Sequence, residues 1–411
     1  MRTLTIEVRT VTERTGPRGP GAGCRLEPHT HKELALHTLE HVLAAYDASA
    51  PLDQALTIPG SWYTDPRVGT LERRGVFGRS WQAVGRTDQV AAAGHYLTAE
   101  VGGEPVLVVR GRDGALRAFF NVCRHHAAAV CTEEQGRAES LRCPYHGWTY
   151  ALDGALRGTP DFDGVKGFDR AGNGLVPMAV DVWEQFVFVR VDPEGPSLPE
   201  FLGPLAAQAQ PLGLSALHFV ERRVYRFDSN WKVFVDNYLD GGYHVPFLHK
   251  GLDSVLDYAA YTIENGPRHC LQSSPLRSSG HDRETAAVRV GDRAFYFWLY
   301  PNFMVNWYEG VMDTNLVRPL GQDRTEVVFD FYFSDAGAGA RERNRASIDV
   351  GQRIQDEDTG ICASVQRGLG SRAYEAGRLS VRREAGEHLF HRLLAADLRA
   401  ELARGLQTQS G

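Results

Sequence analysis

Two short loops of the sequence each pair a cysteine with a histidine. Cys123 and His125 are separated by one residue, and Cys143 and His146 are separated by two. Two thiolates and two imidazoles suit a [2Fe-2S] cluster in which cysteine holds one iron and histidine holds the other. A structural zinc site is the alternative, but zinc sites usually pair cysteine with cysteine and histidine with histidine. The mixed pairs therefore favour an iron–sulfur cluster.

A second candidate site lies in residues 230–249, where His244 and His249 are five residues apart. On an ideal helix this spacing separates the two side chains by about 140°. Pro246 between them is expected to break the helix, which would let both imidazoles reach one metal ion. Two histidines and one carboxylate form the site of non-haem iron(II) oxygenases. The alternative is a pair of packed histidines without a metal.

The second Cys–His pair is followed by Gly147 and Trp148. With these residues the segment resembles the Rieske domain of the Rieske non-haem iron oxygenase alpha subunits, which implies a Rieske [2Fe-2S] cluster on the four ligands named above. Respiratory Rieske proteins resemble Cys-Pro-Cys-His in the second loop, with a disulfide between the loops. Tyr145 fills that position here, so the loops look like the oxygenase type. Cys131 is left over and is expected to be a small buried residue.

The same resemblance assigns His244 and His249 to a mononuclear non-haem Fe(II) and implies that a later helix supplies the carboxylate. Within residues 355–362 the family pattern places this carboxylate at Asp358, with Asp356 as the alternative. Any single acid here could equally belong to a solvated helix face, which is the commoner role.

The family resemblance also implies an acid that carries hydrogen bonds from a cluster histidine of one subunit to an iron histidine of the next. The family places this acid three residues before the first iron histidine, where this chain has Gly241. Asp240 is one residue earlier, and Asp236 is one turn further back. We favour Asp240 as the bridging acid and group it with Asn237 as candidate catalytic residues.

Three segments, 236–246, 300–306 and 312–317, resemble the choline monooxygenase subgroup, which shares the shifted Asp-Gly-Gly sequence. This implies a terminal oxygenase that hydroxylates a quaternary ammonium substrate, most directly choline to betaine aldehyde. Two alternatives use the same machinery, namely N-demethylation of a betaine and hydroxylation of an aromatic ring. An alternative from a different class is an electron carrier of the Rieske ferredoxin type. Such a carrier would not need His244, His249 and Asp358, so the second half of the chain argues against it.

Quaternary ammonium groups bind to aromatic faces, and five aromatic side chains crowd one stretch of the chain. These candidate substrate residues are Trp298, Tyr300, Phe303, Trp307 and Tyr308. The alternative for each is burial in the core by an alternating strand. Glu309 could balance a cation or could be exposed.

The resemblance also implies the partners of the enzyme. Electrons would come from a separate ferredoxin or flavin reductase, because the sequence has no Gly-x-Gly-x-x-Gly fingerprint after a strand. Molecular oxygen would be the second substrate. Since cluster and iron of one chain lie far apart in this family, a homotrimer is expected.

Composition excludes several other classes of partner. The net charge is -6, from 45 basic and 51 acidic side chains, which argues against nucleic acid and anionic membranes. No apolar run reaches the roughly 18 to 20 residues of a membrane span. The six cysteines do not form a disulfide framework. We predict a cytoplasmic protein, since the glutamates in residues 1–35 disfavour an organelle transit peptide.

The order of elements predicts an α+β fold. Residues 1–35 are expected to be a disordered extension, and 36–84 to be helices packed on the catalytic domain. Short strands and turns predict an all-β Rieske domain over 85–195, with a boundary near 193–211. Residues 196–411 are expected to form the catalytic domain, an antiparallel sheet flanked by helices.

Overall fold

The computed structural model describes residues 38–277 and 281–409, and the predicted extension over residues 1–35 lies outside this range. Within it, the α-helices are α1 (Leu39–Ala44), α2 (Gly60–Thr64), α3 (Pro66–Leu71), α4 (Leu198–Leu202), α5 (Leu205–Ala209), α6 (Trp231–Leu239), α7 (Val245–Leu248), α8 (Lys250–Val255), α9 (Arg283–Val288), α10 (Arg341–Leu369) and α11 (Ala385–Gln409). The strands are β1 (Gln82–Arg86), β2 (His95–Val101), β3 (Glu104–Arg110), β4 (Leu116–Phe120), β5 (Gln135–Arg137), β6 (Leu141–Arg142), β7 (Thr149–Tyr150), β8 (Leu156–Gly158), β9 (Pro177–Trp183), β10 (Phe186–Arg190), β11 (His218–Phe227), β12 (Thr262–Asn265), β13 (His269–Pro275), β14 (Arg293–Leu299), β15 (Phe303–Tyr308), β16 (Val311–Pro319) and β17 (Thr325–Phe333). The predicted α+β class is confirmed.

The all-β domain consists of a seven-stranded sheet in the order β1-β10-β9-β4-β3-β2-β5 and a three-stranded sheet, β6-β7-β8. β1 begins at Gln82 and pairs with β10, so this sheet includes residues before the predicted boundary at 85. β9 was not predicted, because it opens on a proline and Asp181 interrupts its apolar residues.

The catalytic domain is built on a second seven-stranded antiparallel sheet in the order β11-β17-β16-β15-β14-β13-β12. Successive side chains of each strand point to opposite faces. All nine residues of β17, including its polar ones, are nevertheless buried, because both faces of the sheet are covered. β12 and β13 were not predicted, since their sequences are rich in polar residues.

One face of the catalytic sheet packs against the all-β domain. Phe303 and Val305 of β15 lie in a buried cluster with Phe186 and Phe188 of β10. The ring centroid of Phe303 is 5.2 Å from that of Phe186 and 5.6 Å from that of Phe188. Helices α4 and α5, near the predicted boundary, complete this cluster. The two domains therefore share one apolar core.

The other face packs against the helices. Trp62 of α2 lies in a buried cluster with Trp231 of α6 and Phe390 of α11. Lys232 of α6 is fully buried, and its Nζ donates to Glu72 Oε1 at 2.5 Å. Helices α1, α2 and α3 therefore lie on the catalytic domain. No helix among the described residues is long and apolar enough to cross a membrane.

Candidate metal centres and substrate cavity

The two Cys–His loops adopt the same turn. The amides of Cys123 and Cys143 each donate to the carbonyl five residues later, at 2.8 Å in both loops. Four residues after each cysteine, Ala127 and Gly147 have positive φ values of 60° and 73°. Their amides donate back to the carbonyl of the cysteine, at 3.0 and 3.1 Å. A glycine accommodates this conformation at Gly147, whereas Ala127 is one of the few non-glycine residues that adopt it here.

This shared turn presents two thiols and two imidazoles at one end of the all-β domain. Cys123 and Cys143 are each only 2 % exposed. His125 is half-buried and His146 is exposed, and their ring centroids are 4.8 Å apart. The His125 ring stacks on Trp148 with 4.7 Å between centroids. Nδ1 of His125 is buried without a hydrogen-bond partner, as expected of a group that would ligate a metal.

One further side chain touches this group. The hydroxyl of Tyr150 accepts a hydrogen bond from the amide of Arg124 at 2.9 Å and lies 3.4 Å from Cys123 Sγ. Its own proton can therefore be donated to the sulfur. Two buried thiols, two adjacent imidazoles and one hydroxyl donor fit a Rieske [2Fe-2S] cluster.

The histidines of the second site lie at the two ends of a one-turn helix. His244 immediately precedes α7 and His249 immediately follows it. Before α7, Gly241 and Gly242 both adopt positive φ, at 68° and 69°, and reverse the chain after α6. Pro246 lies in the first turn of α7, where the backbone amide has no partner within the helix. The prediction that Pro246 breaks a helix is therefore wrong. The helix ends at His249, and this brings the two rings to 4.8 Å between centroids.

The carboxylate of Asp358 on α10 joins these histidines, and one ligand atom from each of the three residues lies within 4.8 Å of the others. Each histidine also forms a hydrogen bond with a carboxylate that is not one of the three candidate ligands. Nδ1 of His244 donates to Asp240 Oδ2 at 2.6 Å, and Nδ1 of His249 donates to Glu357 Oε2 at 2.5 Å. Nε2 of His249 lies 3.1 Å from Asp358 Oδ1, a contact that a bound metal would replace. A histidine that donates through Nδ1 and ligates through Nε2 is the usual arrangement around iron or zinc.

Two amides orient the carboxylate. Nδ2 of Asn237 donates to Asp358 Oδ1 at 2.9 Å, and Nε2 of Gln355 donates to Oδ2 at 3.2 Å. The three residues His244, His249 and Asp358 could thus hold a non-haem Fe(II) with open positions for other ligands. Asp356, the alternative carboxylate, is exposed and accepts a hydrogen bond from Gln352.

A cavity extends from these three residues to the catalytic sheet. Its floor is a row of side chains from five adjacent strands, one per strand, related by the strand pairing. This row consists of Gln272, Tyr296, Asn306, Asp313 and Phe331. Opposite this row, the cavity is closed by residues of α6 and α10, such as Asn237 and Asp358, and by Arg289, which directly follows α9.

The floor carries a buried acid. Asp313 is 6 % exposed, and its Oδ1 accepts from Asn306 Nδ2 at 2.7 Å and from Asn315 Nδ2 at 3.0 Å. Burial raises the pKa of this carboxyl, although Arg289 and the two amides act in the opposite direction. Four tyrosines line the same cavity, and the hydroxyls of two of them, Tyr296 and Tyr308, are 2.7 Å apart. The cavity thus combines aromatic faces with one acidic group.

Only one of the five predicted substrate aromatics lines this cavity. Tyr308 does so, whereas Phe303 and Trp307 are on the opposite face of the sheet, against the all-β domain. Trp298 and Tyr300 share the cavity face but are fully buried in the apolar core, where Tyr300 donates to Asp397. Alternation along the strands separates these residues, so the stretch does not form a single cage.

Sequence reasoning missed the polar residues of the cavity. Asp313 lies on β16, the strand next to the predicted aromatic residues of β15, but it was not selected. Glu309, which was considered as the balancing acid, is exposed. Arg289 directly follows α9, and Tyr238 and Tyr261 come from the segment between β11 and β12. Strict alternation within β16 would have assigned Asp313 and Asn315 to the same face, but it could not indicate which face meets the iron ligands.

Comparison with known proteins identifies the two domains that carry these candidate sites. The family model of the Rieske [2Fe-2S] domain matches residues 80–169, and that of the ring hydroxylating alpha subunit (catalytic domain) matches residues 214–400. A choline monooxygenase, chloroplastic, of Arabidopsis thaliana is 39% identical over 381 residues, which cover 89% of this chain and 88% of the relative. The chain belongs to the Rieske non-haem iron oxygenase alpha subunits.

Other members of this Rieske oxygenase family are also similar. The carnitine monooxygenase oxygenase subunit of Escherichia coli (strain K12) is 33% identical over 83% of this chain and 94% of its own. A solved quaternary ammonium Rieske monooxygenase, described in terms of carnitine oxidation and inter-subunit electron transfer, matches with a TM-score of 0.76 and 30% identity. That match covers 84% of this chain and 96% of the other. The chain is therefore a Rieske-type oxidoreductase, and the predicted pair of cofactors is confirmed at the level of the two domains.

Proposed function

We propose that this Rieske oxygenase oxidises a quaternary ammonium substrate, and that choline, converted to betaine aldehyde, is the first candidate. One observation carries the proposal. A single cavity contains the three candidate iron ligands and, on its floor, the buried Asp313 among aromatic rings. Aromatic faces and a carboxylate together bind a cation that has no hydrogen-bond donors, which is the chemistry of a trimethylammonium group.

The candidate ligands would each have a defined part. Cys123, His125, Cys143 and His146 would hold the cluster, and His244, His249 and Asp358 would hold Fe(II). When bound, these groups would supply single electrons and oxygen activation. Asp240 and Glu357 keep the protons of the two imidazoles on Nδ1, so that Nε2 is free to ligate.

The proposed reaction balances with a reductase as electron source, as in other members of the family. One O2, two electrons and two protons are consumed, one oxygen atom enters the substrate, and the other leaves as water. In choline the carbon that bears the hydroxyl would gain a second hydroxyl, and loss of water from this hydrate gives betaine aldehyde. The choline monooxygenase relatives support this assignment by their similarity across most of the chain.

The electron route is proposed to cross between subunits of a homotrimer, with a ferredoxin or flavin reductase as donor. His146, a candidate cluster ligand, is exposed, and the adjacent Tyr145 is 64% exposed. Close to the candidate iron ligands, Phe247 is 76% exposed. These apolar surfaces suit contact with a neighbouring copy. Asp240, which touches His244, remains our candidate for the bridging acid. A cytoplasmic location also stays a prediction.

N-demethylation of a betaine is the second candidate, because Arg289 in the same cavity could bind a carboxylate. Hydroxylation of a simple arene is disfavoured, since an apolar ring would leave the buried Asp313 without a counter-charge.

Product analysis tests the proposal. The purified protein, loaded with iron, would be supplied with a surrogate reductase, air and one compound at a time: choline, glycine betaine, carnitine, γ-butyrobetaine or naphthalene. We expect oxygen uptake coupled to betaine aldehyde from choline, or to a hydroxylated or demethylated product from a betaine. Turnover of naphthalene alone would overturn the quaternary ammonium assignment.

A further inference from the structure

A buried arginine lies in the same cavity without an acidic partner. Arg289, directly after α9, is 6 % exposed, and its Nη1 donates to Ser347 Oγ at 2.7 Å. The guanidinium carbon lies 4.8 Å from the centroid of the Tyr308 ring. Its Nε is buried and has no hydrogen-bond partner. Among the described residues no carboxylate forms an ion pair with Arg289, so one donor of a buried cation faces no acceptor.

The hydrogen bonds to the carboxylate of Asp313, in the same cavity, reach only one of its two oxygens. Asn306 and Asn315 both donate to Oδ1 of Asp313, and neither reaches Oδ2. Asp313 and Arg289 line one cavity but make no direct ion pair with each other. A buried charge is costly unless it is paired. Because Arg289 and Asp313 line the same cavity without a direct ion pair, a ligand that carries both charges would pair with both groups.

We infer that the natural substrate is a zwitterionic betaine, whose carboxylate binds Arg289 while its trimethylammonium group lies over the tyrosine rings at Asp313. This inference rests on the proposed oxidation of a quaternary ammonium substrate and, within that proposal, favours a betaine over choline. Choline has the cation but nothing that Arg289 can bind. A planar guanidinium is suited to a carboxylate, because its donors match the two oxygens.

The arrangement of α10 leaves room for such a ligand. Gly351 and Asp358 are seven residues apart on this helix, which is about 10 Å along its axis. A Cβ at Gly351 would lie 3.9 Å from Nη2 of Arg289, so the guanidinium is level with that position. The same Cβ would lie 3.3 Å from Cε1 of Phe331 on the cavity floor, so a side chain at Gly351 would enter the cavity beside the guanidinium. The ligand's carboxylate would thus be two helical turns from Asp358, with the chain between them crossing the floor.

The first test needs no mutation. Binding of glycine betaine and γ-butyrobetaine to the wild-type, iron-loaded oxygenase would be compared by calorimetry with binding of their methyl esters, which keep the cation and lose the negative charge. We expect each acid to bind about 10- to 100-fold more tightly than its ester, the range of one charged hydrogen-bonding partner. Equal affinities would overturn the inference.

The second test uses variants. In Arg289→Gln, the kcat/KM for the preferred betaine divided by that for choline should fall by about 10- to 100-fold, and in Arg289→Lys it should fall less. Arg293→Gln is the matched control, because Arg293 donates to Ser273 and does not line the cavity, so its ratio should stay at the wild-type value. Visible absorption of the cluster would check that each variant is folded.

The outcomes separate the two proposals. If choline is oxidised with a higher kcat/KM than every betaine, and Arg289→Gln leaves the ratio unchanged, the inference is wrong and the proposed function stands. If no quaternary ammonium compound binds or reacts, both are wrong. A preference for the acids that disappears in Arg289→Gln supports both.

Discussion

The two candidate metal sites of this protein are built in opposite ways. The cluster ligands come from two loops with the same turn, within one small domain, and the second loop reaches the surface. The iron ligands come from both ends of α7 and from α10, and His249 and Asp358 are 109 residues apart. The first site is a local structure, whereas the second exists only when the catalytic domain is assembled.

This difference means that each site can be removed without the other. The cluster loops rest on the β6-β7 hairpin and on apolar packing inside their own domain. The iron ligands rest on helices that cover the far face of the catalytic sheet. A substitution of a ligand at one site should therefore remove the cofactor of that site and leave the cofactor of the other site in place.

The largest expected effect is loss of activity in His244→Ala. Without this ligand the remaining two groups should not retain Fe(II), so no product forms, while the visible spectrum of the cluster is unchanged. Iron content should fall from three to two per chain. His218→Ala, an exposed histidine on β11, is the control and should keep all three. Product formation by His244→Ala would refute the assignment of the iron site.

The reciprocal variant tests whether the two sites cooperate across subunits. Cys143→Ser should lose the visible spectrum but keep one iron, and alone it should be inactive. Mixed and reassembled with His244→Ala in equal amounts, it should restore about one quarter of the wild-type activity, because about one interface in four would join an intact cluster to an intact iron site. Absence of any recovery, with mixed oligomers demonstrated, would argue for transfer within one chain.

The outer carboxylates should matter less than the ligands. Asp240→Asn and Glu357→Gln should each weaken Fe(II) retention during dialysis against a chelator by about 10- to 100-fold. Glu357 is 42% exposed, so water can partly replace it and its variant should be the milder. Asp356→Asn is the control. With iron restored, only Asp240→Asn should still show slow cluster reoxidation, which would separate a bridging role from simple support of His244.

The smallest effect is expected at the cluster. Tyr150→Phe removes a hydroxyl 3.4 Å from Cys123 Sγ, and the reduction potential should fall because the oxidised cluster loses less stabilisation than the reduced one. A single hydrogen bond of about 1 kcal/mol corresponds to a few tens of millivolts. Spectroelectrochemistry would measure it, and an unchanged potential would mean that the hydroxyl does not donate to sulfur.

The same contrast explains what sequence could predict. The cluster loops were identified because their ligands and turn residues lie within a short segment. His244 and His249 were found for the same reason. The predicted role of Pro246 was wrong, because Pro246 lies in the first turn of α7, where proline is tolerated, whereas a proline deeper in a helix breaks it. Asp358 is remote, and only the family resemblance selected it from its acidic neighbours.

The substrate cavity was beyond the reach of local patterns. Phe303 and Trp307 lie near Tyr308 in sequence, but strand alternation directs them to the other domain. Arg289, Tyr238 and Asp313 meet only because helices and strands from separate segments pack together. A pattern of alternation can divide a strand into two faces, but the partner of each face depends on tertiary packing.

The row of side chains on the cavity floor places one residue from each strand at regular intervals across the sheet. Neighbouring strands are about 4.8 Å apart, so a molecule lying across them covers one strand for each such length. The carboxylate of Asp313 on β16 and the amide of Asn306 on β15 belong to paired residues of neighbouring strands, so they are one strand spacing apart. Exchanging the two residues would move the negative charge by one strand and leave every iron ligand in place. We therefore expect this double substitution to change the substrate length that fits the cavity, without changing the metal ligands.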